Sequence, residues 1–148
     1  MKHIDHLYEY NEIIKENDEI YRHLAKGFHM PECTFWILYT LRTAQAPMTQ
    51  SELCRMLYEP KQTVNSALKK LEAEGFLSLA VGNDRRSKTI TLTDKGETLS
   101  DQTVDLVISA EKHALLSLEE TEQDIFLQLF HKYTDSLKQQ IEELNKKT

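Results

Sequence analysis

The stretch Pro60-Lys61-Gln62-Thr63-Val64-Asn65-Ser66-Ala67-Leu68-Lys69-Lys70-Leu71-Glu72-Ala73-Glu74-Gly75-Phe76 decides the fold. Wound at about 100° per residue, it puts Val64, Leu68 and Leu71 on one side of a helix. Gln62, Ser66, Lys69 and Ala73 fall opposite, flanked by Thr63, Asn65 and Lys70. Proline suits the first helical position, so Pro60 starts the helix. Gly75 suits the left-handed residue just past its end, with Phe76 folding back on Leu71. The outward face holds amides, hydroxyls and two lysines, and its first two turns carry no carboxylate. Amides and hydroxyls match base edges, and lysines match phosphates. The helix N-terminus adds partial positive charge.

Immediately upstream, Thr49-Gln50-Ser51-Glu52 has the form of a capping box, in which a hydroxyl and a carboxylate exchange hydrogen bonds with each other's backbone amides. It opens a short helix with Leu53, Met56 and Leu57 predicted to face inward. Immediately downstream the hydrophobic period changes to two. Leu77, Leu79 and Val81 alternate with small residues, and Ile90 and Leu92 alternate with threonines, around the polar tip Gly82-Asn83-Asp84-Arg85-Arg86-Ser87-Lys88. This predicts a β-hairpin with Gly-Asn turn chemistry. Two helices joined by a short turn and followed by a hairpin make a winged helix-turn-helix. An arginine on such a ribbon can enter a minor groove, which makes Arg85, Arg86 and Lys88 candidates for DNA contact. Asp84 can fix one guanidinium in a bidentate pair.

The charge distribution agrees. The whole chain of 148 residues carries −6, yet residues 49–93 hold seven lysines and arginines against five carboxylates, while residues 94–148 hold six against twelve. The local field, rather than the total, governs approach to a polyanion. Only four glycines and three prolines are present, which favours long helices over an all-β fold. The pattern predicts helices over residues 4–28 and 32–43. A further helix is predicted from a Thr93-Asp94 cap to about Leu116, and another from a Ser117–Glu120 capping box to about Asn145. In the last of these, Phe126, Phe130, Tyr133, Leu137, Ile141 and Leu144 recur at nearly heptad spacing. Such a seam exceeds what one small winged domain needs and predicts pairing with a second copy. The expected architecture is mainly α with a small β-hairpin wing, in which residues 33–94 form the DNA-binding lobe and residues 1–32 and 95–148 a helical dimerisation region. Paired recognition helices about 34–36 Å apart would meet an inverted repeat.

Three words of the sequence carry a family resemblance: Pro60 through Phe76 as quoted, Asp84-Arg85-Arg86-Ser87-Lys88, and Leu92-Thr93-Asp94-Lys95-Gly96. In order and spacing they resemble the MarR family of bacterial regulators. The resemblance implies a homodimeric transcriptional regulator, most often a repressor, that binds double-stranded DNA. It implies a recognition helix in the major groove, with Lys61, Gln62, Thr63, Asn65, Ser66, Lys69 and Lys70 facing DNA. It also implies a wing whose Arg86, oriented by Asp84, enters the minor groove. Ser66 stands where the family often has arginine, so base preference is not carried over.

Other features have two readings each. Cys33 is either a buried thiol or, as in some members of the family it resembles, an oxidation sensor, which needs an exposed thiol of depressed pKa. Cys54 reads as packing. Tyr21, Phe28, Trp36 and Tyr39 are either core or the lining of a cleft for a small aromatic effector, whose binding would release DNA. His3, His6, His23, His29 and His113 show no metal-ligand spacing, and no metal or cofactor is expected. No phosphate-binding glycine loop or nucleophile elbow is present, so an enzyme is not expected. The N-terminus lacks a signal-peptide core and no run of residues is apolar enough for a membrane span, which predicts a cytoplasmic protein. The competing functional class is a winged-helix protein-interaction module that reads no sequence.

Overall fold

A computed structural model describes residues 2–81 and 88–147. Among these residues the chain forms α1 (Lys2–Gly27), α2 (Glu32–Thr43), β1 (Met48–Thr49), α3 (Gln50–Leu57), α4 (Lys61–Ala73), β2 (Leu77–Val81), β3 (Lys88–Leu92), α5 (Asp94–Gln102), α6 (Val104–Leu115) and α7 (Glu120–Lys147). The chain divides into two compact units, Met1–Val107 and Ile108–Thr148. None of the described helices is long and apolar enough to cross a membrane.

In the first unit, α2, α3, α4 and the sheet close over one core of Ile37, Met48, Leu53, Val64, Leu68, Leu71, Leu77 and Ile90. Leu68 and Val64 are fully buried, and each such side chain contributes about 1.5–3 kcal/mol relative to exposure. The strands run antiparallel in the order β1-β3-β2. Leu77 pairs with Leu92 and Leu79 with Ile90, so the alternation sets the register. The two-residue β1, which the sequence reading did not include, adds Met48 opposite Ile90. A second core gathers Ala25, Phe35, Leu38, Val104 and Val107, and Leu92 touches both.

Four local expectations are corrected. Pro60 is the N-cap of α4, one residue before its first turn. Met56 is 56% exposed, lying on the flank of α3 while Leu53 is fully buried. The helix expected from Asp94 to Leu116 breaks at Thr103, whose backbone leaves the helical region (φ −129°, ψ −88°). Around the break, Ser100 Oγ donates to Gly96 O at 2.8 Å and Thr103 Oγ1 to Leu99 O at 2.7 Å, the type of back-bonding that bends helices. Finally, α7 starts after Glu119 rather than Ser117. The Ser117 hydroxyl turns back to Ala114 O (2.6 Å), and the Glu119 amide donates to Glu122 Oε1 (2.8 Å).

Arg42, at the end of α2, ties the two sides of the break. It donates to Asp105 through Nε (3.0 Å) and Nη2 (2.5 Å), and to Asp101 through Nη2 (2.8 Å). The guanidinium hydrogen bond holds the Asp105 carboxyl below its ordinary range, and Asp105 in turn raises Arg42 further.

The second unit is dominated by α7, which has no buried residue. Its apolar stripe lies open: Phe126, Phe130, Tyr133, Leu137, Ile141 and Leu144 are all 39–58% exposed. Phe126 and Phe130 meet one turn apart in a tilted ring contact, with ring centres at 5.9 Å.

Candidate nucleic-acid interface

The helix α4 is held from both ends. At its start, the preceding helix is fixed by the Thr49 box: Thr49 Oγ1 accepts from the Glu52 amide (3.2 Å), and the Thr49 amide donates to Glu52 Oε2 (3.0 Å). The α3–α4 turn then reverses through Tyr58 in the left-handed region (φ 53°). At its end, Gly75 is left-handed (φ 84°), Phe76 N donates to Leu71 O (2.9 Å) and Gly75 N to Glu72 O (3.0 Å). These are the two bonds of a Schellman motif, as the sequence predicts. The Glu72 carboxylate accepts from the Leu79 amide at 3.0 Å, tying α4 to the wing.

The Leu92-to-Gly96 word explains itself at this junction. Thr93 Oγ1 donates to Gly75 O (2.6 Å) and accepts from Gly96 N (3.1 Å). Lys95 reaches Glu74 O (2.7 Å) while its ammonium sits 4.4 Å from the Phe76 ring centre, a cation–π contact. Gly96 is buried so tightly that a Cβ there would stand 1.9 Å from the Phe76 carbonyl oxygen. The start of α5 therefore sets where α4 ends and the wing begins.

On this support the two sides of α4 separate cleanly. Val64, Leu68 and Leu71 are buried, while Lys61, Gln62, Thr63, Ser66, Lys69 and Lys70 are exposed and Asn65 is half-buried. Lys88 is exposed at the outer end of β3, paired with Val81 of β2. Asp84, Arg85 and Arg86 lie outside the described residues. No acidic residue occupies the first turn of α4, although Glu59 stands just before its N-cap, and the helix end contributes partial positive charge. The surface presents donors, acceptors and cations toward one side and can hold a polyanion.

The other candidates fall elsewhere. Cys33 is half-buried against the first core, and burial, Glu59 and Cys54 push its thiol pKa up, which favours the unreactive protonated form. Tyr21, Trp36 and Tyr39 pack around buried Phe35, with Trp36 centred 4.9 Å from Tyr21 and 5.2 Å from Tyr39. Phe28 also contacts this group but lines a cleft of about 200 Å³ together with Met30, Ala67, Lys70, Leu71 and Phe76. That cleft abuts the C-terminal half of α4. Among the described residues, no group of three or more histidines, cysteines and carboxylates is placed to hold a metal ion.

Comparison with known proteins bears on this arrangement. A MarR family model matches residues 31–87, which take in α2 through β2 and stop short of β3. The chain is similar to YwoH of Bacillus subtilis, an HTH-type transcriptional regulator, with 30% identity over 97 residues covering 66% of this chain and 70% of that one. Its fold is that of NMB1585, a MarR family regulator from Neisseria meningitidis (TM-score 0.75, 21% identity, 93% of this chain and 97% of that one). It is also that of Staphylococcus aureus MepR in a DNA complex (TM-score 0.66, 24% identity, 88% of this chain and 96% of that one).

Proposed function

The chain belongs to the MarR family, and from that premise we propose that it is a homodimeric DNA-binding transcriptional repressor acting in the cytoplasm on an inverted-repeat operator. The observation that carries the DNA reading is the two-sided α4: three apolar residues sunk in the core and a polar, basic face left exposed apart from half-buried Asn65. MepR, which shares the fold, has been crystallised on DNA. In this reading α4 enters the major groove and Gln62, Thr63, Asn65 and Ser66 address base edges. Lys61, Lys69, Lys70 and Lys88 neutralise phosphates, and Arg85 and Arg86, braced by Asp84, work in the minor groove. Residues 33–94 serve as the reading lobe, and residues 1–32 and 95–148 as the dimerisation region. The exposed apolar stripe of α7 supports the pairing, because an apolar face of that length is stable in water only when covered.

A small aromatic effector fits the cleft at Phe28. Its lining includes Ala67, Lys70 and Leu71 of α4, so an occupant that prefers one placement of α4 shifts the population of DNA-competent dimers.

The test is selection of bound duplexes from a random pool, followed by titration of the recovered site. We expect an inverted repeat, and we expect Arg86→Ala to weaken binding strongly with fold and dimer intact. Lys69→Ala is expected to reduce the slope of log affinity against log salt by about one. Absence of any salt-sensitive, sequence-preferring binding would replace this reading with the protein-interaction module.

A further inference from the structure

The turn between α3 and α4 contains a residue that the fold alone does not explain. Tyr58 is the C-cap of α3 and adopts φ 53°, ψ 29°. A left-handed turn residue is ordinarily glycine or asparagine, because other side chains crowd the backbone there. Among described non-glycine residues the other with positive φ is His29, a residue type enriched in that region. Tyrosine has no such excuse, and it gains no packing in return. Tyr58 is 93% exposed, and among the described residues its ring and hydroxyl engage no partner. A bulky, half-apolar side chain is held at the surface in a conformation that costs free energy, which is the pattern found where a surface awaits a ligand.

Its place in the chain says which ligand. Tyr58 stands two residues before Pro60, the N-cap of α4, and three before Lys61, at the end of α4 that leads into the candidate interface. That end bears partial positive charge, no first-turn carboxylate, and the exposed donors of Lys61 and Gln62. A phenol hydroxyl is among the side-chain donors that meet nucleic-acid phosphates.

We propose that Tyr58 is a DNA-contacting residue whose hydroxyl donates to a backbone phosphate at the rim of the groove that α4 enters. The inference rests on the DNA-binding reading of α4. The contact fixes the position of the turn on the duplex and carries no base preference, so it strengthens binding to every sequence alike.

The experiment compares wild type, Tyr58→Phe and Tyr58→Asn by titration against a duplex recovered from the random pool and against a random duplex, with thermal unfolding of each protein. Tyr58→Phe removes only the hydroxyl and should weaken both duplexes by the same factor, about three- to tenfold. Its melting temperature and salt slope should be unchanged, since no charge is lost. Tyr58→Asn relieves the left-handed backbone and should melt higher while binding at least as weakly as Tyr58→Phe. A gain in stability paired with a loss in affinity is what a merely structural residue would not give. Full affinity in both variants overturns the proposal, and so does loss in Tyr58→Asn with none in Tyr58→Phe, which would remove the hydroxyl from the contact. Failure of wild type to bind either duplex would instead overturn the DNA reading beneath it.

Discussion

Helices α4 and α7 are both amphipathic, and the chain treats them in opposite ways. The apolar residues of α4 find their partners within the first unit: Val64 and Leu68 are fully buried and Leu71 nearly so. The polar face is what remains outside. In α7 no residue is buried, and the apolar residues themselves remain outside. A helix whose polar side is left over offers charge and hydrogen bonds to a polyanion. One whose apolar side is left over offers surface that water disfavours, and it calls for protein. On the reading proposed above, the two leftovers address two kinds of partner, DNA at α4 and a second copy of the chain at α7.

Three changes break or sharpen that contrast. The largest effect is expected at the α7 stripe. Replacing Phe130 and Ile141 together by glutamate should turn a dimer into monomers by light scattering or sedimentation and thereby abolish tight operator binding, while the circular dichroism of the winged lobe persists. A dimer of unchanged stability would remove α7 from the interface. Next, Leu68→Ala in α4 should lower unfolding stability by about 2–5 kcal/mol through lost burial and the cavity left behind. Urea denaturation measures it, and the loss should appear at every protein concentration, unlike that of the α7 variant. The smallest effect concerns Arg42. The folded Asp105 carboxyl is held below its ordinary value of about 3.9, chiefly by its hydrogen bond to Arg42. Its stabilisation is thus present above that value and is lost as acid protonates the folded group. Asp105→Asn should flatten the acid limb of a stability-against-pH curve and leave the neutral region only modestly changed. An acid limb identical to wild type would show that the ion pair contributes nothing in solution.

The sequence was most informative where one element satisfies its own pattern. The faces of α4, the Thr49 box, the Schellman end at Gly75 and the register of the wing follow from periodicity and a few capping residues, and the structure places them accordingly. It was least informative where the outcome depends on competition between local bonds. Asp94 to Leu116 has helical spacing throughout, but the hydroxyls of Ser100 and Thr103 bond back to the preceding turn and the helix breaks. Ser117-Leu118-Glu119-Glu120 has the letters of a capping box, but the serine hydroxyl prefers the carbonyl of Ala114 behind it. Met48 and Thr49 carry no strand signal of their own and join the sheet only because β3 offers an edge. Within the candidate interface, polarity and spacing marked the helix face, whereas Tyr58 was missed because nothing in a sequence distinguishes an exposed strained tyrosine from a packed one. The turn position just before Glu59-Pro60 was the available hint.

Gly96 has a consequence for how this protein can change. The space where its side chain would begin is already occupied by the Phe76 carbonyl oxygen, and every other amino acid carries the atom that collides. The position therefore has no neighbours in sequence space: no substitution, however small, is a gradual step. A lineage must either keep the glycine or move the junction of α4, the wing and α5 as a whole. The junction of α4, the wing and α5 is thus set by an atom the chain leaves out.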